Sequence, residues 1–312
     1  MQISINTNSI NTHFNKKNNS VPQFNGITNS LPNKKIFKNS IKIIFADVDG
    51  TLSEHSDLMT RKTIESINRL QDNNIPVVLT TARCYQDTIP ILEQLSRKPD
   101  YTITLQGGCL TDRKGNNIFN NIISQNTAKN LIQWFNSINP KYKNSHLVLY
   151  FDEQPYSTSN IQFPWKARTK IQQVPSFNNL LEISKLQKAI IYKSNMKSCP
   201  NYNSKELVDL FESSNNPELK ITSSSNLLEL QNKWVAKDKA IEFLLRILKI
   251  EPKNAMTIGD SFGDIEMLDF VRERGGLAVA MGNSNEIVKK HANAITTSVT
   301  EDGFSHIIDK IF

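Results

Sequence analysis

The chain has 312 residues, 38% hydrophobic and 21% charged, with a formal net charge of +7. That length leads us to expect two domains, each with a core of its own, and the composition is that of a soluble globular protein. No apolar run approaches membrane-spanning length, and Cys84, Cys109 and Cys199, odd in number and scattered, exclude a disulfide framework.

Residues 1–40 hold Lys16, Lys17, Lys34, Lys35 and Lys38 and no acid, so much of the positive excess sits there. The segment is rich in Asn, Ser and Lys, has no apolar periodicity, and is expected to be disordered. It lacks the apolar stretch and small-residue cleavage site of a secretory signal, and it is not the Arg-rich amphipathic segment of a transit peptide. No nucleic-acid recognition motif accompanies the charge, so neither a nucleic acid nor a membrane is expected as partner. The expected setting is a reducing cytoplasm; the oligomeric state is left open.

Ile41 to Ala46 is a strand-length run, apolar on both faces, that stops at Asp47 and Asp49 and turns at Gly50-Thr51. Such a run predicts a parallel strand covered on both sides, whose carboxyl end is where open α/β sheets bind ligands. Two acids that close repel each other, and a hard divalent cation such as Mg²⁺ is the simplest way to offset them. Thr60 to Asn73 carries a helical stripe at Ile64, Ile67 and Leu70, with Thr60 as N-cap. Pro76 to Thr81 is a second buried strand, followed by Ala82-Arg83, a helix through Ile89, Leu92 and Leu95, and a third strand over 101–105. The alternation predicts βαβ units.

Near residue 110 the rhythm changes. Arg113-Lys114-Gly115-Asn116 has hairpin-turn chemistry, a helix is expected near Ala128–Phe135, and strands over Leu147–Phe151 and Leu186–Tyr192. The first rhythm returns with a helix over Asp238–Leu248 that starts at Lys237. A strand over Ala255–Ile258 then ends at Gly259-Asp260, with Asp264 four residues on, and another over Gly276–Met281 precedes Asn283. The expected architecture is therefore an α/β core of residues 41–109 and 226–312, with an α+β domain, residues 110–225, inserted between its halves.

Four motifs in order carry a resemblance: Asp47-Val48-Asp49-Gly50-Thr51-Leu52, Val77 to Arg83, Lys237 at a helix start, and Gly259-Asp260-Ser261-Phe262-Gly263-Asp264. Together they resemble the haloacid dehalogenase superfamily over about residues 41–312, and within it the Cof-type phosphatases with a large cap. The resemblance implies a Rossmann-like parallel-sheet core, an inserted cap that selects substrate, and Mg²⁺-dependent hydrolysis of small phosphate monoesters. Sugar phosphates are the preferred class, with phosphorylated cofactors such as flavin mononucleotide or pyridoxal phosphate behind them. Asp47 would be the nucleophile, the Asp49 side chain the general acid and base, and Thr81 and Lys237 the groups that steady the phosphoryl oxygens. Mg²⁺ would be held by the Asp47 carboxylate, the Asp49 backbone carbonyl and Asp260, with Asp264 acting directly or through a water. Gly50, Arg83 and Asn283 complete the expected substrate contacts.

Several residues keep a plainer reading. Thr81 has Thr80 as a rival and is also placed to cap the next helix, and Lys237 has Lys233 and Lys239 beside it. Arg83 suits an ion pair as well as a substrate contact, and Asn283 suits a contact to Asp260 or a left-handed turn as well as one to phosphate. Four positions depart from the Cof-type pattern: Gly263 and Gln106 stand where Asn is usual, and Thr80-Thr81-Ala82-Arg83 replaces Ala-Thr-Gly-Arg. Two other functions use the same residues. A phosphomutase would return the phosphoryl group to a sugar; a catalytically weakened binding or regulatory protein would count Gly263 as its first loss.

Overall fold

In the computed structural model, Ile43–Ala46 (β1) lies at the centre of an eight-stranded sheet. The structure describes residues 40–54, 57–138, 145–163, 169–193, 208–209, 211–212, 216–224 and 227–312. The expected disorder of residues 1–40 therefore concerns a segment that, Ser40 aside, lies outside the described residues, as does Cys199.

β1 pairs in parallel with Val77–Thr80 (β2) on one side and Ala255–Gly259 (β12) on the other. Tyr101–Thr104 (β3) continues the sheet beyond β2, and Leu277–Ala280 (β13) and Ala294–Ile295 (β14) continue it beyond β12. Because successive strand residues face opposite sides, Ile44 and Ala46 pack against one helical layer and Ile43 and Phe45 against the other. The first layer contains Arg61–Asp72 (α1), whose N-cap Thr60 accepts a hydrogen bond from the Thr63 amide as expected, and Gly303–Ile311 (α8). The second contains Lys237–Leu248 (α5) and Ile265–Arg272 (α6). This is the doubly wound α/β core read from the sequence.

The insertion builds a six-stranded sheet in the order Leu219–Ser224 (β10), Leu227–Asn232 (β11), Leu186–Lys193 (β9), Ser145–Phe151 (β6), Gln154–Ser157 (β7) and Gln172–Gln173 (β8). Its long strands are Ser145–Phe151 (β6) and Leu186–Lys193 (β9), antiparallel to each other. The helices Gln125–Ile138 (α3) and Asn178–Ile183 (α4) cover one face through Leu131, Phe135 and Leu181. The other face brings Val148, Tyr150, Ile190 and Tyr192 against Cys84, Leu105 and Cys109, beside the carboxyl ends of β2 and β3. The insertion thus sits as a cap over the edge where the motif residues gather.

The borders of the two units differ from those the sequence suggests. Cys109–Asp112 (β4) and Asn117–Asn120 (β5) do form a hairpin, with Gly115 at φ 83°, but they add antiparallel to β3 and so extend the core sheet. At the other end, Leu227–Asn232 (β11) pairs with β9 and belongs to the cap sheet. The hairpin chemistry is local and readable, whereas the sheet a hairpin joins is decided by distant partners. No helix among the described residues is long and apolar enough to cross a membrane.

Candidate active site

The carboxyl ends of β1, β2 and β12 and the start of α5 converge. Asp47 follows β1 directly and is buried, with its amide bonded to the Ile258 carbonyl of β12. Lys237, the first residue of α5, is 2% exposed and its Nζ lies 2.5 Å from Asp47 Oδ1 and 2.6 Å from Asp264 Oδ1. Lys233 and Lys239 take no part in this contact, so the helix start singles out Lys237. Asp264 is fully buried, and its Oδ2 accepts from the amides of Asp260 and Ser261 and from the Ser261 hydroxyl. Ser261 and Asp264 cap each other reciprocally, a local device that fixes the loop after β12.

Asp260 completes the acidic cluster. One carboxylate oxygen from each of Asp47, Asp260 and Asp264 lies within 4.8 Å of the others. Thr51 Oγ1 donates to Asp260 Oδ1 at 3.0 Å, and Asn283 Nδ2 donates to the Gly50 carbonyl at 2.9 Å and approaches Asp260 Oδ2 at 3.5 Å. Asn283 Oδ1 accepts from the Val299 amide, so its carboxamide ties loops together beside Asp260, one of its two expected partners, and its backbone is not left-handed. Gly50 also has a conformational reason to be glycine. Its amide donates to the Ser53 carbonyl, its φ is +85°, and a Cβ there would stand 2.3 Å from Asp260 Oδ2. Glycine is required for the close approach of Asp260 and for the left-handed turn.

The Asp49 side chain points away from this cluster. Arg83 holds it through both oxygens, with Nε to Oδ2 at 2.9 Å and Nη2 to Oδ1 at 2.5 Å. Arg83 Nη1 also donates to Asp57 Oδ1 at 2.9 Å and to the Asp87 carbonyl at 3.2 Å. The ion-pair reading of Arg83 is the one this geometry shows. Thr81 is fully buried at the end of β2, and its Oγ1 accepts from the Arg83 amide at 3.2 Å, which leaves the hydroxyl proton able to donate elsewhere. It does not cap the following helix, Tyr85–Leu92 (α2), whose N-cap is Cys84. Thr80 turns its hydroxyl back to the Val78 carbonyl.

Electrostatics follow from burial. Desolvation pushes the Asp47 carboxyl well above its ordinary pKa, against the pull of Lys237 and helped by the negative neighbours Asp264 and Asp260. Burial works against the Lys237 ammonium, yet Asp264 and Asp47 outweigh it and hold its pKa above the ordinary value. Burial likewise opposes the Arg83 charge, and Asp49 and Asp57 more than restore it. Three clustered carboxylates face one ammonium, so the fully ionised cluster carries an excess of two negative charges. An all-oxygen donor set with that excess fits a hard divalent cation. Asp47 and Asp260 could hold it, while Asp264, with both oxygens already accepting, stands behind them.

Sequence reasoning did not single out Thr51, Ser261 or Asp57. The first two had a signal: a hydroxyl directly after the motif glycine, and a Ser-x-x-Asp capping pattern. Asp57 had none, because only the folded loop brings it to Arg83.

Residues 44–308 match the family of haloacid dehalogenase-like hydrolases. Phosphatase YwpJ of Bacillus subtilis is 24% identical over 299 residues, covering 86% of this chain and 99% of its own. The 5-amino-6-(5-phospho-D-ribitylamino)uracil phosphatase YcsE of the same organism is 26% identical over 270 residues, covering 86% and 94%. The solved structure of the subclass IIB sugar phosphatase BT4131 superposes with a TM-score of 0.64 at 20% identity, over 86% of this chain and 98% of that one. With its family match spanning nearly the whole described core and cap, the chain belongs to the haloacid dehalogenase-like hydrolases.

Proposed function

We propose that the protein is a Mg²⁺-dependent phosphatase that hydrolyses small phosphate monoesters, sugar or sugar-alcohol phosphates first among them, through an aspartyl-phosphate at Asp47. The observation that carries this reading is the buried Lys237 ammonium bridging Asp47 and Asp264 beside Asp260. Phosphatase activity also accords with the names of relatives such as YwpJ and YcsE, the latter acting on a phosphorylated ribityl compound.

Phosphate monoesters are very inert, and an anionic nucleophile must approach an anionic phosphoryl group. Each such charge pair costs about 4 kcal/mol at 4 Å for an effective dielectric of ~20. Mg²⁺, when bound by Asp47, Asp260 and the Asp49 carbonyl, supplies positive charge beside the phosphoryl oxygens. Lys237 holds Asp47 by Oδ1, which orients the carboxylate so that Oδ2 is the attacking atom. Thr81 donates its hydroxyl proton to a phosphoryl oxygen. Asp49 gives a proton to the leaving alkoxide, and as a carboxylate it then takes one from the water that releases phosphate. Arg83 holds both Asp49 oxygens in this structure, so one of the two contacts opens when that oxygen carries the proton, and the other keeps the side chain in place. The cap face over β2 and β3 excludes water and selects the alcohol.

The test is phosphate release from a panel of sugar and cofactor phosphates, with Mg²⁺ or with chelator, for wild type and Asp47→Asn. Metal-dependent release that disappears in the variant supports the reading. Release that survives in the variant overturns the aspartyl-phosphate, and isomerised sugar without free phosphate would make the protein a mutase. Silence from wild type, with tight binding of a phosphate ligand, would return the binding-protein reading.

A further inference from the structure

Two of the positions that depart from the Cof-type pattern are neighbours in space. A Cβ on Gly263 would lie 3.1 Å from Gln106 Nε2 and 3.6 Å from its Oε1, so the Gln106 carboxamide packs against the bare glycine and would have to shift by a few tenths of an ångström to admit a side chain there. Gln106 Oε1 is buried and has no hydrogen-bond partner among the described residues. A buried acceptor left unpaired is costly, and the cost is worth explaining when it falls beside reacting groups.

The backbone around it is held with unusual firmness. Leu105 and Gln106 are both left-handed, at φ 50° and 59°, which non-glycine residues rarely adopt. The Leu105 amide donates to the Arg83 carbonyl and the Gln106 amide to the Thr81 carbonyl, both at 2.9 Å. Leu105's carbonyl accepts from Gln231 of the cap at 2.8 Å. Gly107 presses so closely on the start of α5 that a Cβ would stand 2.2 Å from the Ala236 carbonyl. Gln106 is therefore clamped between the loops that carry Thr81, Lys237 and Asp264. Strain over-determined in this way marks a side chain whose direction matters.

We propose that Gln106 is a ligand-positioning residue of this site. Its carboxamide stands in the space opened by Gly263, and its Oε1 accepts a hydrogen bond from an O–H group that arrives with the ligand. The donor is a hydroxyl of the esterified alcohol or a water held by the cation. The pairing of Gln106 with Gly263 then replaces one carboxamide by another from a different loop, and Gly263 is not a sign of decay. The inference rests on the phosphatase reading.

The experiment compares wild type, Gln106→Leu, Gly263→Ala and the double variant. It measures thermal midpoint, Mg²⁺ affinity by calorimetry without substrate, and kcat and KM for glucose 6-phosphate and p-nitrophenyl phosphate. Gln106→Leu should keep or raise the midpoint, since it removes an unpaired buried polar atom. It should lose about tenfold in kcat/KM, the worth of one hydrogen bond. A loss confined to glucose 6-phosphate, with Mg²⁺ affinity intact, identifies the alcohol hydroxyl as donor. Weaker Mg²⁺ binding with loss on both esters identifies the metal-held water. Gly263→Ala, which displaces the carboxamide, should reproduce most of the loss, and the double variant should be no worse than Gln106→Leu. Gln106→Leu equal to wild type on every ester turned over and in Mg²⁺ affinity overturns the proposal, as do independent, multiplying losses. If wild type hydrolyses neither ester, the phosphatase reading fails separately. Mg²⁺ affinity then decides the role of Gln106, with equal values in wild type and Gln106→Leu overturning it.

Discussion

Arg83 grips both oxygens of Asp49 and reaches Asp57 with the remaining arm of its guanidinium. The arrangement holds the Asp49 carboxylate away from the clustered acids Asp47, Asp260 and Asp264 and in one orientation. A planar fork can do this; an ammonium cannot. Arg83→Lys is expected to lower kcat by at least about tenfold, within the ~10²–10⁴ that a positioned acid or base supplies. Mg²⁺ affinity should be unchanged, because Arg83 touches none of the clustered acids. Steady-state kinetics with a Mg²⁺ titration checks both halves, and a shifted Mg²⁺ affinity with unchanged kcat would contradict the assignment.

Among the described residues Lys237 is the one ammonium in contact with two buried carboxylates, and removing it takes that counter-charge from both. Breaking a buried pair in this way costs about 3–5 kcal/mol. Lys237→Met should therefore lower the thermal midpoint markedly as well as abolish turnover. Mg²⁺ should restore part of the midpoint, since an ion that binds only the folded state stabilises it by mass action. Thermal melts of both proteins across a Mg²⁺ series test this. A variant as stable as wild type would refute the charge balance described for the cluster.

The legible part of the site is the part written in consecutive residues. Asp47, Asp49, Asp260, Asp264 and Lys237 end or begin elements whose apolar pattern is unambiguous, and the sheet brings them together because its strands are parallel and adjacent. The cap border was not legible, because Cys109–Asp112 carries the same local signals whichever sheet it joins. The alternatives for Arg83 and Asn283 could be resolved only by seeing which partners stand opposite. Gly50 reads in sequence as a phosphate-loop glycine; its actual constraint is the carboxylate of Asp260, supplied from the other half of the core.

That constraint makes Gly50→Ala informative. The substitution forces a left-handed residue, at about 1–2 kcal/mol, and drives a methyl group into Asp260. Asp260 must move, so the Mg²⁺ concentration needed for half-maximal phosphate release should rise several-fold while saturating Mg²⁺ recovers much of the rate. An unaltered Mg²⁺ dependence would show that Asp260 is not among the metal's ligands.

Cys84 and Cys109 are buried where the cap meets the core. Burial, aided by the charge of Asp87, pushes the Cys84 thiol up to about 12, and burial with Glu153 pushes Cys109 higher still. Since the thiolate is the reactive form, neither residue should take up iodoacetamide at pH 8 in the native protein. Peptide mapping after timed labelling checks this. Rapid modification of either would mean that the cap opens often enough to expose them.

Glu153 sits at the tip of the β-hairpin that follows Ser145–Phe151 and plugs the cap into the core. Its carboxylate accepts from the Tyr85 amide at 2.5 Å and from Thr104 Oγ1 at 2.9 Å, and its own amide donates to Gln187 Oε1 at 2.7 Å. Burial raises its pKa, and the hydrogen bonds from Tyr85 and Thr104 offset only part of that rise. A carboxyl whose folded pKa exceeds its unfolded value binds more protons in the folded state. Stability is then lost as pH rises from the unfolded value, about 4.3 for Glu, through the folded one. Glu153→Gln keeps an oxygen to accept both core hydrogen bonds but has no proton to lose. The stability difference between variant and wild type should therefore grow in the variant's favour as pH rises from 4 to 8. Urea unfolding of both proteins across that range measures it. Parallel pH curves would mean that Glu153 ionises in the folded protein as easily as in the unfolded chain. The buried carboxylate would then owe its place to the two core donors, Tyr85 and Thr104, with no net cost of desolvation.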